Sequence, residues 1–386
     1  MSLQPEIAYT VPEQTARIAK AAFPKSTLCM KIYDHLGTIF RDHDFVDIFP
    51  QRGQPAQSPF RLALITILQF IEGLSDRAAA DAVRGRIDWK YLLCLEIDDA
   101  GFDFSILSEF RARLLDNGIE QRLLNNLLVV LREKKLVKAR GRQRTDSTHI
   151  LAAIRNLNRL ERVGETLRAA LNALATIVPE WVRGNVPIEW VERYGHRIEA
   201  YRLPESEQQR AEYASQVGAD GHQLLDRIYG DQQFQWLRKV PAIETLRLVW
   251  LYNYEIVDGG YQFRDKNSIP PSSLNIQSPY DPQAHYGRKR STTWVGYKVH
   301  ITETCDEELP EIITNVHTEK ALTGDNDAIP EIHKSLALSQ LLPTKHVVDT
   351  GYVEAKRIVE SQNEYCVDLF GPAPGNRFWQ SQQGTG

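Results

Sequence analysis

The chain has 386 residues, 42% hydrophobic and 25% charged, with a formal net charge of −4. That composition excludes wholesale disorder and supplies enough chain for two or three domains of roughly 150 residues. No apolar run approaches the ~18 residues of a membrane span, Met1 to Thr10 lacks the basic and apolar regions of a secretory signal, and four dispersed cysteines (Cys29, Cys94, Cys305, Cys366) argue against a disulfide scaffold or cysteine zinc site. The expected compartment is the cytoplasm, and with a slightly acidic total any nucleic-acid site must be a local patch.

Residues 1 to about 138 read as a helical domain. Phe60 to Glu72 is strongly apolar and stops at Gly73; Ser75 is a predicted N-cap for a helix over Asp76 to Arg84, with an acid in its first turn and Arg in its last. Short helices are expected from Asp88, over Ser105 to Leu115 and over Gln121 to Leu136. A helix, a Gly turn and an Ala-rich helix carrying Arg77, Arg84 and Arg86 resembles a helix-turn-helix, which makes those arginines candidate DNA contacts. Packing or oligomerisation is the competing reading, since small helical bundles also contain such turns.

Between Leu131 and Arg144 the local charge departs from the total. Arg132, Lys134, Lys135, Lys138, Arg140, Arg142 and Arg144 face a single acid, Glu133. The strip reads either as a solvated helix end and linker or as a phosphate-contacting surface, with Lys134, Lys135, Lys138 and Arg140 as the candidate contacts.

A strand is expected over Arg142 to Ala153. A helical insertion follows, over about 155–279, in which Leu160, Val163, Leu167, Leu171 and Leu174 recur on one helix face. From Tyr280 the chain reads as strands at Trp294–Thr304, Ile312–Val316, His346–Asp349 and Tyr365–Phe370, with helices at Asp325–Leu338 and Val353–Gln362. The order implies an α+β fold: a helical N-terminal domain, then a mixed sheet with helices packed on it.

Two aspartates stand out by position, Asp146 at or near the end of the first strand and Asp349 at the end of an apolar one. Asp146 lies in Arg144-Thr145-Asp146-Ser147-Thr148-His149, and Asp349 lies in Val347-Val348-Asp349-Thr350-Gly351-Tyr352, where an apolar strand yields to a Gly turn and a helix. Reactive groups collect at the carboxyl ends of strands in open α/β sheets. If the two strands are neighbours, two carboxylates converge, and such a pair is stabilised by a hard cation, Mg²⁺ or Mn²⁺. Taken alone, each Asp also fits a helix cap or an Asx-turn. Arg288, Lys289 and Arg290, just before the Trp294 strand, and Lys298 within it are further candidate DNA contacts. His149 reads as a strand position, and Asp325 with Asp327 as a helix start.

These blocks resemble bacterial insertion-sequence transposases of the DDE (Asp-Asp-Glu) type. The resemblance rests on Arg144 to His149, on Val348-Asp349-Thr350-Gly351-Tyr352, and on Tyr280-Asp281-Pro282-Gln283-Ala284 with Gly296-Tyr297-Lys298. It spans about Ser58 to Pro372. It implies an RNase H-like catalytic domain over 139–386, preceded by a DNA-binding domain. It implies Asp146 and Asp349 as metal ligands, and two Mg²⁺ or Mn²⁺ ions in a complete site. The implied partner is double-stranded DNA, both element ends and target, with a possible homo-oligomer and no membrane. The family's third acid, a Glu, lies on a helix after the fifth strand. Here the sixteen residues Gly371 to Gly386 contain no acid, and Glu354, Glu360 and Glu364 fall in or beside the preceding helix. The resemblance therefore leads to an expectation of a chain cut before its catalytic helix. The alternative to an active transposase is an inactive remnant that only binds DNA.

Overall fold

The computed structural model describes residues 2–5, 9–155, 157–257, 260–265, 267–289 and 291–373. Over these the fold is mixed α+β: a helical N-terminal region leads into a sheet core, and a helical insertion interrupts that core.

The N-terminal region builds its core from Phe40, Phe45, Phe60, Leu68, Trp89 and Phe110, among others. Burying each such side chain contributes about 1.5–3 kcal/mol. Helix Pro59–Glu72 opens on Pro and stops at Gly73, whose φ of 64° is the left-handed conformation that ends helices at small cost for glycine. The Ser75 hydroxyl accepts from the Ala78 amide at 3.3 Å and caps helix Asp76–Gly85, as its sequence implies. Helix Gln121–Glu133 ends earlier than its apolar pattern suggests, because the chain turns through Lys135 at φ 60°. Its Leu128 and Leu131 pack against Ala328, Ile332 and Leu336, which joins this region to the sheet core.

The strands are β1 (Arg142–Leu151), β2 (Tyr254–Val257), β3 (Gly260–Phe263), β4 (His285–Lys289), β5 (Thr292–Thr304), β6 (Ile313–Lys320), β7 (Lys345–Val348) and β8 (Asp368–Phe370). The main sheet runs β4-β5-β1-β7-β8, with β6 also paired to β5. β5 is antiparallel to β4, β1 and β6, whereas β1–β7 and β7–β8 are parallel. Helices Asp325–Leu338 and Ala355–Tyr365 supply the crossovers that parallel neighbours need. The second of these runs to Tyr365 and is closed by Cys366 at φ 53°, so β8 starts at Asp368 rather than at Tyr365. β2 and β3 form a separate hairpin of four-residue strands, too short to leave a periodic signal in the sequence.

The insertion has its own core, centred on Val163, Leu167, Leu174, Trp190, Leu224 and Trp250. Asn158 and Glu161 form a reciprocal capping box that starts helix Arg159–Ile177. Gly218 and Gly221 let helix Glu207–Gly230 approach aromatic rings: a Cβ at Gly221 would lie 2.0 Å from the Trp250 ring. No helix among the described residues is long and apolar enough to cross a membrane.

Candidate functional site: two carboxylates on adjacent parallel strands

β1 alternates from Arg142 to Thr148. Gln143, Thr145 and Ser147 are buried, while Arg144, Asp146 and Thr148 are exposed, as a period of two requires. The parallel ladder to β7 pairs Arg144 with Val347 and Thr145 with Val348. One step further lie Asp146, which is within β1 rather than at its end because the ladder to β5 carries β1 on to Leu151, and Asp349, just past β7. Adjacent strands sit about 4.8 Å apart, so the two aspartates are lateral neighbours where the ladder ends. Both line one open cleft of about 810 Å³ whose other walls include Thr148, Ile301, Val347 and Phe370.

Each carboxylate is oriented by a backbone amide. Asp146 Oδ1 accepts from the Ser147 N–H at 2.7 Å. Asp349 Oδ1 accepts from the Gly351 N–H at 2.9 Å, an Asx-turn that caps the short turn Thr350–Tyr352. The capping contact at Asp349 thus coexists with its place on the cleft wall. Both side chains reach the cleft and are hard oxygen donors. Among the described residues, no group of three or more His, Cys, Asp or Glu side chains is arranged to hold a metal ion.

Beneath the aspartates, on the side covered by helices, lies a buried polar network. The Tyr352 phenol is 2.6 Å from His300 Nδ1, and His300 Nε2 is 2.9 Å from Glu319 Oε1. Burial works to raise the Glu319 pKa, but hydrogen bonds from His300 and His317 outweigh it and hold the carboxyl at about 2. Burial, and then the charges of Asp325, Asp146 and Asp349, push the Tyr352 phenol well up, so it stays protonated. Lys289 Nζ donates to the Ser147 carbonyl at 3.1 Å, one residue from Asp146. A second buried chain runs from Thr302 Oγ1 to Thr145 Oγ1 (2.7 Å), on to His346 Nε2 (2.6 Å), and from His346 Nδ1 to His333 Nε2 (2.8 Å). Tyr352 belongs to the Asp-Thr-Gly-Tyr run and Thr145 to the Arg144–His149 block, which were the sequence signals for these networks; nothing local marks Glu319.

The expected DNA contacts are dispersed. Arg77 stacks over Phe104 at 4.2 Å. Arg84 binds Asp81 at 2.7 Å and the carbonyls of Ala100 and Phe102, and Arg86 pairs with Asp88 at 2.8 Å and with Glu72. All three are thus engaged within the helical region. Lys134, Lys135 and Lys138 are exposed, whereas Arg140 donates to the carbonyls of Tyr365 and Cys366, both at 3.1 Å. The strip borders a cleft of about 570 Å³ whose opposite wall is Asp306, Glu307, Glu308 and Leu309. Arg142 Nη1 lies 3.8 Å from Glu307, and Arg144 pairs with Glu303 at 2.6 Å and Glu311 at 3.0 Å. Lys298 pairs with Asp325 at 2.9 Å, so Asp325 serves this contact as well as opening its helix. Arg288 is exposed on β4, and Arg290 lies outside the described residues. His149 stacks on Trp294 with centroids 4.8 Å apart.

Residues 18–113 match the model of a family described as "Transposase domain (DUF772)". The match lies within the helical N-terminal region, ends before Asp146, and supports a transposase assignment. No curated protein matches the chain, and no solved structure does.

Proposed function

We propose that the chain is a DDE-type insertion-sequence transposase acting on double-stranded DNA by metal-dependent strand cleavage and transfer. The observation that carries this reading is the placement of Asp146 and Asp349 side by side where the parallel β1–β7 ladder ends, both lining one cleft. Three antiparallel strands, β1, β5 and β6, with β7 and β8 parallel to β1, agree with an RNase H-like core to which β4 is added, and the transposase-domain match in the helical region agrees with a DNA-binding module ahead of it.

The residues present fit a hard divalent cation. Asp146 and Asp349 would hold it through the carboxylate oxygens that face the cleft. Mg²⁺ commonly takes one or two carboxylates and keeps several waters, so two ligands suffice for one ion. A bound cation, or two in a complete site, would activate a water or a 3′-hydroxyl and stabilise the leaving oxygen of the phosphodiester. The protein's own part is to orient both carboxylates through the Ser147 and Gly351 amides, while the exposed Lys134, Lys135 and Lys138 supply cations for the phosphate backbone. The expected compartment is the cytoplasm, where the DNA is.

A second reading is DNA binding without cleavage. It is favoured by one observation: among the described residues, no group of three or more His, Cys, Asp or Glu side chains is arranged to hold a metal ion. One experiment separates the two. Supercoiled DNA carrying the gene's genomic flanks is incubated with Mn²⁺ and wild type, Asp146→Asn or Asp349→Asn, and both nicking and binding are measured. The transposase reading expects nicking to fall at least about a hundredfold in both variants, equivalent to about 2.7 kcal/mol of lost barrier reduction, with binding retained. Binding without nicking by wild type selects the second reading. Nicking untouched by either change would remove both aspartates from the chemistry.

A further inference from the structure

We propose that Glu319, His300 and Tyr352 are positioning residues that pre-set the separation of Asp146 and Asp349 for a divalent cation. The proposal rests on the reading of those aspartates as metal ligands and goes beyond it, because none of the three touches the cleft. The argument begins with the turn that carries Asp349. The Tyr352 N–H donates to the Asp349 carbonyl at 3.2 Å, and the Gly351 N–H donates to the Asp349 carboxylate. The turn has little room to move. A Cβ at Gly351 would lie 2.8 Å from Asp325 Oδ2 and 3.2 Å from Asp349 Oδ1, so the backbone is wedged between two carboxylates.

The far end of this turn is anchored by Tyr352, which is fully buried among Ile329, Val348 and Leu369. Its phenol is the first member of a relay across three elements: to His300 on β5 at 2.6 Å, then to Glu319 on β6 at 2.9 Å. His300 itself is fully buried. It also stands opposite Ser147 in the β1–β5 ladder, the residue whose amide orients Asp146. One network therefore grips both the turn that aims Asp349 and the strand residue that aims Asp146. Partners of this kind fix ligand orientation at metal sites, and their loss typically lowers metal affinity about ten- to a hundredfold.

A merely structural role makes a different forecast. Tyr352→Phe keeps the ring and its apolar contacts and removes one oxygen. If the relay only stabilises the fold, the variant melts at a lower temperature but binds metal as before. The test uses the full chain and Mn²⁺ alone, with free Mn²⁺ followed by electron paramagnetic resonance well below the melting temperature. Wild type, Asp349→Asn, Tyr352→Phe and Glu319→Gln are compared, each also melted without metal. The expected result is loss of binding in Asp349→Asn, about a tenfold weaker Kd in Tyr352→Phe, and a smaller weakening in Glu319→Gln. Glu319→Gln, two hydrogen bonds away from the turn, decides the matter if Tyr352→Phe fails to fold. Unchanged affinity in both relay variants, with Asp349→Asn inactive in binding, overturns the positioning role and leaves the metal site standing. Wild-type affinity in Asp349→Asn overturns the metal site, and the positioning role with it.

Discussion

The buried pair His333 and His346 makes the stability of this core dependent on pH. Both rings are almost fully excluded from solvent. Burial pushes His333 down to about 4, and burial together with the neighbouring His333 pushes His346 down to about 3. Their hydrogen bonds need neutral rings: one proton is shared between His333 Nε2 and His346 Nδ1, with Thr145 at the far nitrogen. An unfolded histidine takes up its proton near pH 6.5, whereas these two take it up only near 4 and 3. Between those limits the unfolded chain binds more protons than the folded one, so stability falls as pH falls. It is fully present above about pH 6.5 and is lost progressively on acidification. Each unit of pH costs about 1.4 kcal/mol for each ring kept neutral, so the drop from 6.5 to 4.5 removes on the order of 5 kcal/mol for the pair. That is a large part of the ~5–15 kcal/mol that holds a domain together. The assay is urea unfolding at half-unit pH steps, for wild type and for a His333→Gln/His346→Gln double variant. The variant is expected to be less stable at pH 7 but to lose about two protons' worth of slope between pH 6.5 and 4.5. Equal slopes in the two proteins would show that the rings titrate normally in the fold and that the burial argument is wrong. Glu319 does not confuse the result, since its carboxyl, held at about 2, contributes stability that is lost only below about pH 4.5.

Two further outcomes follow from the charge distribution and from packing. Neutralising Lys134, Lys135, Lys138 and Arg140 to Gln should flatten the plot of log DNA affinity against log salt by about 0.9 for each phosphate that is no longer neutralised; a slope of about two to three units is expected to disappear, because Arg140 already serves two carbonyls, and an unchanged slope in fluorescence anisotropy would mark the strip as solvated linker. Gly221→Ala should destabilise the insertion by about 1–3 kcal/mol, since the new methyl would stand 2.0 Å from the Trp250 ring carbon. Thermal melting checks this, and a change within about 0.5 kcal/mol would mean that Trp250 is free to shift.

What the sequence made legible was whatever is local. The apolar run into Asp349, then Gly351, announces a strand, an acid and a turn within six residues, and the structure keeps all three. The Ser75 cap and the helix Asp325–Leu338 are equally local and fall where their residues direct. β1 was harder, since its inward residues are Gln143, Thr145 and Ser147 rather than aliphatics. They are tolerated inside because distant groups satisfy them: Leu341 and Thr314 for Gln143, Thr302 and His346 for Thr145. No spacing in the chain encodes those partners. Glu319 was illegible for the same reason, being one acid among fifty until β5 and β6 pair and bring it to His300.

The basic strip shows how far local charge counting reaches. Seven cations against one acid in a short window is a true description of the chain, but it leaves out the β5–β6 connection, more than 160 residues later in sequence. That connection folds back so that Asp306, Glu307 and Glu308 face the strip across a cleft, while Glu303 and Glu311 pair with Arg144. These pairs are mostly exposed, and exposed pairs contribute roughly 0–1 kcal/mol each and weaken with salt. Their consequence is therefore for binding rather than for folding. Arg142 and Arg144, at the β1 end of the strip, already pair with carboxylates, whereas the exposed Lys135 and Lys138 meet acids only across the cleft and Lys134 lies outside its lining. Phosphate contacts from this surface should accordingly concentrate on the lysines, beside helix Gln121–Glu133, and fade toward β1, where any approaching backbone meets acid as well as base.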